Sequence, residues 1–137
     1  MSGRCLCGAI RFTATPIKME IDACHCGACR RWSAGPFMSV SCGDTLSIQD
    51  ESQLRVFRSS DWAERISCTN CGGALFWRLT GGGFVAVAAF AFDDPSRFAF
   101  TEEIFVDEQP VSYAFANETH RMTGAEVVAA MQAKEGN

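Results

Sequence analysis

Seven of the eight cysteines of this chain fall into three short groups, and their spacing constrains the fold more than any other feature. The groups follow the patterns C-x-C, C-x-C-x-x-C and C-x-x-C, and they are Cys5 and Cys7; Cys24, Cys26 and Cys29; and Cys68 and Cys71. Sulfurs one or two residues apart in a tight turn can point at one ion about 2.3 Å away, which is the distance that zinc requires. Because seven is odd, these cysteines cannot all pair as disulfides without Cys42, whereas they divide naturally into a group of four and a group of three.

The rest of the composition is consistent with reduced, metal-binding cysteines. The N-terminus has no basic stretch followed by an apolar core, so we expect no secretory signal and a cytoplasmic location, where thiols stay reduced. The longest apolar run, residues 84–92, is far shorter than the roughly 20 residues that span a bilayer, so we expect no membrane segment. With 12 basic and 16 acidic residues, the net charge of −4 argues against nucleic acid as a partner.

The pattern of apolar residues predicts a mainly β fold in a single domain spanning 1–137. Short strands are predicted at residues 10–13, 17–23, 37–41, 54–58, 74–79, 84–90, 98–106 and 111–116. Gly81, Gly82 and Gly83 predict a hairpin loop between two of them. Near the end, Thr123 and Glu126 fit a capping box, which predicts a short C-terminal helix.

Cys5, Cys7, Cys68 and Cys71 are predicted to form a closed, structural zinc site. Two pairs far apart in sequence, each offering two thiolates, make a tetrahedron of four sulfurs that contributes folding energy. The alternative is that these are buried, reduced cysteines with no metal.

Cys24, Cys26 and Cys29 are predicted to hold a second zinc. Three thiolates leave one tetrahedral position open, which is typical of a catalytic zinc. The alternative is a closed structural site with His25 or Cys42 as the fourth ligand. We expect the His25 side chain to point away from the metal, and Cys42 is otherwise expected to be a small buried hydrophobic residue.

Arg30 and Arg31 follow this second group directly. They could offset its negative charge or hold the carboxylates of an anionic ligand by bidentate hydrogen bonds. Either one could instead be a solvated surface arginine.

The motifs resemble the glutathione-dependent formaldehyde-activating family, which includes the centromere-protein-V relatives. The matching segments are residues 3–12, 24–31, 33–37, 57–60 and 65–76, in the order of the family and within roughly 3–107. The resemblance implies a β-tent of small antiparallel sheets pinned by two zinc ions, with glutathione as co-substrate. The chain has no added substrate-binding insertion, and its C-terminal extension, 108–137, matches no motif.

The activity that the resemblance implies is that of a carbon–sulfur lyase, which forms S-hydroxymethylglutathione from formaldehyde and glutathione. In this interpretation Arg30, Arg31 and Trp32 bind glutathione, and Ser33 donates a hydrogen bond to the developing alkoxide. The alternatives are that Trp32 is core or pocket wall and that Ser33 is an ordinary turn serine. Two other functions stay open, namely a thiol-binding module without turnover and a purely structural zinc domain for protein interaction. No oligomeric state is assigned.

Overall fold

The computed structural model describes residues 1–135, and among these the fold is mainly β, with two sheets and a helix near the C-terminus. The strands are β1 Ser2–Arg4, β2 Arg11–Thr13, β3 Glu20–Cys24, β4 Phe37–Ser41, β5 Ser47–Ile48, β6 Leu54–Arg58, β7 Ala63–Cys68, β8 Ala74–Leu79, β9 Val85–Ala88, β10 Ala99–Ile104 and β11 His120–Met122. The α-helices are α1 Gly27–Ser33 and α2 Gly124–Glu135. The predicted mainly β class is therefore confirmed.

The chain divides into two compact units, each built from two segments. The first unit comprises Met1–Met19 and Ser39–Ala99, and the second comprises Glu20–Met38 and the segment that begins at Phe100. The prediction of a single domain, with a C-terminal extension over 108–137, stays a prediction.

The first unit contains the shorter sheet, in the order β1-β2-β5, and the antiparallel run β9-β8-β7-β6, with residues 39–41 of β4 paired to β9. Its core includes edge-to-face rings, with Phe12 packed on Phe76 at 5.1 Å and on Phe92 at 5.4 Å between centroids. Ile66 and Val87 are completely buried beside the aromatic residues. These side chains remove large apolar areas from water, which fixes the register of the strands that carry the cysteines.

The second unit contains the neighbouring strands β11, β10 and β3, together with both helices. β10 and β11 pair in parallel, with Glu103 opposite Arg121. The expectation of purely antiparallel sheets is therefore wrong for this pair. The parallel pairing is possible because fifteen residues, 105–119, connect β10 to β11, which is long enough for the chain to return and run in the same direction.

Several predicted strands have the predicted bounds, and one is absent. β4, β6 and β8 coincide with the predictions, and the strand predicted over 17–23 starts three residues later and ends at Cys24. No strand forms at 111–116, where the Tyr113 carbonyl accepts a hydrogen bond from the Gln109 side chain at 2.9 Å instead of from a neighbouring strand. The rings of Tyr113 and Phe115 contact His25, at 5.5 and 6.0 Å between centroids.

The C-terminal helix begins with the predicted capping box. The Glu126 N–H donates to Thr123 Oγ1, and the Thr123 N–H donates to Glu126 Oε1, each at 3.2 Å. Val128 and Met131 are nearly half exposed, so the described part of the helix does not bury a continuous apolar face. None of the helices within residues 1–135 has the length and apolar character needed to cross a membrane.

Candidate metal centres

Four cysteine sulfurs of the first unit converge on one point, in agreement with the predicted four-sulfur group. Their ligand atoms lie within 4.8 Å of one another, and the residues are Cys5, Cys7, Cys68 and Cys71. Cys7 Sγ lies 3.6 Å from Cys5 Sγ and 3.8 Å from Cys68 Sγ. A tetrahedron with bonds of about 2.3 Å has edges of about 3.8 Å, so the sulfurs already have the spacing of a four-thiolate metal site. All four are free cysteines.

Two backbone turns of the same design hold this four-sulfur group. Each pair of cysteines is followed by a glycine in the left-handed region, Gly8 with φ +80° and Gly72 with φ +76°. The Gly8 N–H donates to the Cys5 carbonyl at 3.2 Å, and the Gly72 N–H donates to the Cys68 carbonyl at 2.8 Å. Glycine adopts this conformation without steric cost, so the chain can reverse directly after the second sulfur of each pair.

The turns favour ionisation of two of the four sulfurs. Hydrogen bonding from the Asn70 side chain, followed by that from the backbone of Ala9, lowers the pKa of Cys7 to about 6. The pKa of Cys71 is also lowered, first by a backbone hydrogen bond from Cys7. The pKa of Cys68 is raised instead: a backbone hydrogen bond from Cys71 lowers it, but burial and hydrogen bonding with the Cys5 and Cys71 side chains outweigh that effect. Because metals bind thiolates rather than thiols, Cys7 and Cys71 are the members of this group best prepared for a cation.

The second group of sulfurs, Cys24, Cys26 and Cys29, lies in the second unit, with ligand atoms within 4.8 Å of one another. Cys24 ends β3, Cys26 is the N-cap of α1, and Cys29 lies in its first turn. The Cys26 Sγ accepts a hydrogen bond from the Cys29 N–H at 3.3 Å, so the cap itself sets the spacing of two sulfurs. Sequence reasoning did not predict α1, because its N-cap is a cysteine and not one of the usual Ser, Thr, Asp or Asn caps.

Neither of the two alternative fourth ligands belongs to this three-sulfur group. His25 is completely buried, and its ring nitrogens contact Tyr113 Oη at 2.7 Å and Glu103 Oε1 at 2.8 Å. Cys42 is buried in the first unit and lies 3.6 Å from the Val40 carbonyl oxygen. The expectation that His25 points away is confirmed, and among the described residues the group has three members.

The four residues after Cys29 occupy the last turn of α1. Arg30 Nε donates to the His25 carbonyl at 3.0 Å, and the exposed Arg31 donates to the Gly27 carbonyl at 3.2 Å. The Trp32 ring packs on Phe37 at 4.8 Å. The Ser33 hydroxyl can donate to either of two backbone carbonyls, that of Cys29 at 2.8 Å or that of Gly35 at 2.9 Å.

Sequence reasoning missed a buried carboxylate in the same unit. Glu103 is 1% exposed, and both of its oxygens are hydrogen-bonded, with contacts from His25, Thr119 and Arg121. Burial raises its pKa, but hydrogen bonds from Thr119, His25 and Arg121 together lower it below the ordinary value. The signal in the sequence is the Glu102-Glu103 pair, which interrupts an otherwise apolar strand pattern.

Without a cation, the three-sulfur group does not favour full ionisation. Hydrogen bonding with Cys26, then with Cys29, and then burial raise the pKa of Cys24. A cation at the centre reverses this preference because it stabilises the thiolates. Chemically, the arrangement can therefore hold a metal ion and leave one position for a ligand from outside the group.

The chain is similar to known proteins along most of its length. The family model described as "Glutathione-dependent formaldehyde-activating enzyme" matches residues 1–108. An "Uncharacterized lyase" of Schizosaccharomyces pombe is 35% identical over 127 residues, covering 92% of this chain and 93% of that protein.

Two more distant similarities agree with this match. A protein of Halomonas elongata named "Putative glutathione-dependent formaldehyde-activating enzyme" is 26% identical over 85 residues, 56% of this chain and 54% of that protein. The crystal structure of a Rhodobacter sphaeroides protein superimposes with a TM-score of 0.60 at 18% identity, covering 74% of this chain and all of that one. That likeness supports the fold.

Proposed function

This chain belongs to the glutathione-dependent formaldehyde-activating enzyme family, and from this premise we propose that it is a zinc-dependent carbon–sulfur lyase. Its substrates are a thiol such as glutathione and a small aldehyde such as formaldehyde, and its product is an S-hydroxymethyl adduct. The observation that carries the proposal is the contrast between a group of four sulfurs and a group of three. Only the second has fewer protein ligands than a tetrahedral zinc takes, so a substrate sulfur could be the fourth.

The two groups of donors fit zinc in different roles. Four thiolates complete a tetrahedral site, so Cys5, Cys7, Cys68 and Cys71 would hold a structural ion within a β-tent fold. Cys24, Cys26 and Cys29 would hold the second ion. When bound there, zinc would lower the pKa of a substrate thiol and so supply a thiolate at neutral pH.

The reaction forms one carbon–sulfur bond. The substrate sulfur donates an electron pair to the carbonyl carbon of the aldehyde, and the C=O π pair moves to oxygen, which then takes a proton. The reverse reaction breaks the same bond and releases both substrates. Because the addition needs no oxidant or reductant, the residues of the site need only bind, orient and supply a hydrogen bond.

Three residues that follow Cys29 are assigned to binding. The guanidinium groups of Arg30 and Arg31 can pair with the carboxylates of glutathione, each by two parallel hydrogen bonds. Trp32, packed on Phe37, would provide an apolar wall. The support for this assignment is that both arginines lie in α1, the same seven-residue helix that carries Cys29.

Ser33 is the candidate donor to the developing alkoxide. Its hydroxyl has one proton and already lies within hydrogen-bond distance of the Cys29 and Gly35 carbonyls. To act in the reaction, it would have to exchange a carbonyl acceptor for the substrate oxygen.

X-ray absorption at the zinc edge, with and without glutathione, tests the open site. We expect one additional sulfur neighbour when glutathione is added, and none when S-methylglutathione, which has the same carboxylates but no thiol, replaces it. An unchanged sulfur shell with both ligands would contradict the open site and favour the purely structural zinc domain.

Kinetics then separate an enzyme from a thiol-binding module. Adduct formation is followed by NMR against the spontaneous reaction, with Cys26→Ser as the control. We expect a rate above background only in the parent chain. Equal rates in both would leave thiol binding without turnover as the function.

A further inference from the structure

His25 lies between two sulfurs of the three-sulfur group, and all its polar atoms have partners. Its N–H donates to the Ile104 carbonyl at 3.0 Å, and its carbonyl accepts from Arg30 Nε at 3.0 Å. Its ring nitrogens contact Glu103 and Tyr113. The peptide that joins Cys24 to Cys26 is therefore held at four points.

The hydrogen bonds around Glu103 fix the orientation of the histidine ring. An ionised carboxylate can only accept hydrogen bonds, so His25 Nε2 donates to it. Nδ1 is then available to accept the hydroxyl proton of Tyr113, whose pKa is raised by burial, so that it keeps its proton. Donor and acceptor therefore alternate along Tyr113, His25 and Glu103.

The charge of the buried Glu103 is balanced from the C-terminal segment. One guanidinium nitrogen of Arg121 donates to Glu103 Oε1 and another to Gln109 Oε1, each at 2.7 Å. Gln109 Nε2 donates to the Tyr113 carbonyl at 2.9 Å. These three partners, at 109, 113 and 121, all follow the residues that the family model matches, 1–108.

We propose that His25 is a positioning residue for the three-sulfur site, and that Glu103, Tyr113 and Arg121 hold it in place. The inference rests on the proposed function only in taking Cys24, Cys26 and Cys29 as metal ligands. Because His25 is bonded to both Cys24 and Cys26 through the chain, a shift of its backbone moves two sulfurs together. The C-terminal segment thus supports the three-sulfur site without contributing a ligand to it.

Competition between the full-length protein and a zinc chelator tests this role. The variants are His25→Asn, Glu103→Gln and Tyr113→Phe, and the matched control is Glu64→Gln, which removes the carboxylate of the half-buried Glu64–Arg78 pair in the other unit. Loss of groups that support metal ligands typically lowers metal affinity about 10- to 100-fold. We expect this loss at the three-sulfur site only, with the four-sulfur site unchanged and the control like the parent chain.

A merely structural role for His25 would give a different result. It would lower Tm in the three variants while leaving the zinc affinity of the three-sulfur site at the parent value, and that outcome would overturn the inference. Tyr113→Phe keeps the ring and removes one hydroxyl, so it decides the question if the other two variants do not fold.

The same titration separates this inference from the proposed function. If the parent chain binds two zinc ions and the variants lose only the weaker one, the inference stands even when no thiol adds a sulfur. If the parent chain binds a single zinc ion, both fail.

Discussion

The four-sulfur and three-sulfur groups differ in what supports them. The first is held mainly by two backbone turns, each with a left-handed glycine after a cysteine, at Gly8 and Gly72. The second is held by a helix cap at Cys26 and by side chains, chiefly the buried His25 and Glu103.

The four-sulfur turns have supporting side chains of their own, since Arg4 donates to the Cys5 and Leu6 carbonyls and Thr69 donates to Gln53. The three-sulfur group differs in the distance along the chain, because the partners of its buried histidine lie 78 and 88 residues away.

This difference follows from the tasks that the two groups are proposed to have. A closed site gains its stability from four metal–sulfur bonds, so its surroundings need not provide more. A site with an open position has one protein ligand fewer and must keep its geometry while substrate enters and leaves. The hydrogen bonds to His25, which joins Cys24 to Cys26, fix the positions of these sulfurs in place of a fourth protein ligand.

Replacing one sulfur in each group gives the largest expected effect and tests this comparison directly. Structural zinc sites in small domains contribute about 10–16 kcal/mol, as much as the total stability of a typical domain, about 5–15 kcal/mol. We therefore expect Cys68→Ser to abolish the cooperative thermal transition of the first unit. Cys26→Ser should keep a cooperative transition and lower the zinc content from two ions per chain to one.

Cys42→Ser is the matched control, since it makes the same substitution at a buried cysteine that belongs to neither group. It should retain both zinc ions. The comparison fails if Cys26→Ser unfolds the chain as completely as Cys68→Ser, as measured by calorimetry and metal analysis.

Acid should remove metal from the three-sulfur site at a higher pH than from the four-sulfur site. Protons compete with metal for thiolates, and a thiol with a lowered pKa is protonated only at lower pH. In the four-sulfur group the pKa of Cys7 is lowered to about 6 and that of Cys71 is also lowered, while that of Cys68 is raised. In the three-sulfur group the pKa of Cys24 is raised. Zinc release measured during stepwise acidification should therefore show two steps.

Cys26→Ser should remove only the step at higher pH. A single step in the parent chain, or loss of the lower step in this variant, would show that the environments of the two groups do not control their metal retention.

The four-sulfur group could be predicted from the sequence, because its determinants are local. Cysteine spacing and the glycines at 8 and 72 specify each turn, and the only long-range step is the pairing of two such turns. Strands β4, β6 and β8 were predictable for the same reason, since their apolar residues lie between clear breaks.

The support of the three-sulfur group could not be predicted from local pattern. Tyr113 lies 88 residues from His25, and Arg121 lies 18 residues from Glu103. The apolar run 111–116 has the composition of a strand, and only the fold shows that its rings contact a buried histidine. The α1 helix could not be predicted either, because it has only seven residues and its N-cap is a cysteine, which is an unusual capping residue.

Replacing Arg30 or Arg31 by alanine should have a smaller effect than replacing a cysteine, and it tests which side chains support the three-sulfur group. Hydrogen bonds to charged groups contribute about 1.5–3 kcal/mol, so Arg31→Ala should raise the KM for glutathione about tenfold or more and leave zinc content unchanged. Arg30→Ala should raise KM and also weaken zinc binding, because Arg30 donates to the His25 carbonyl. Arg55→Ala, at an exposed position in β6, is the matched control.

Equal zinc affinities in the Arg30→Ala and Arg31→Ala variants would contradict the division of tasks between these neighbours. Unchanged KM values in both variants would leave the two arginines as solvated surface residues.

Ser33→Ala gives the smallest expected effect and decides between the two roles of this residue. Its hydroxyl lies at the end of α1, 2.8 Å from the Cys29 carbonyl, and a hydrogen bond of this kind contributes about 1 kcal/mol. If Ser33 only closes the helix that carries Cys29, the variant should unfold at a slightly lower temperature with kcat within about twofold of the parent chain. A loss of about 100-fold in kcat at unchanged Tm would instead identify the hydroxyl as the donor to the alkoxide, since removal of one such donor typically costs about 10²–10³ in rate. The three-sulfur region would then supply a catalytic hydrogen bond as well as a metal site, a role for which the closed four-sulfur group has no counterpart.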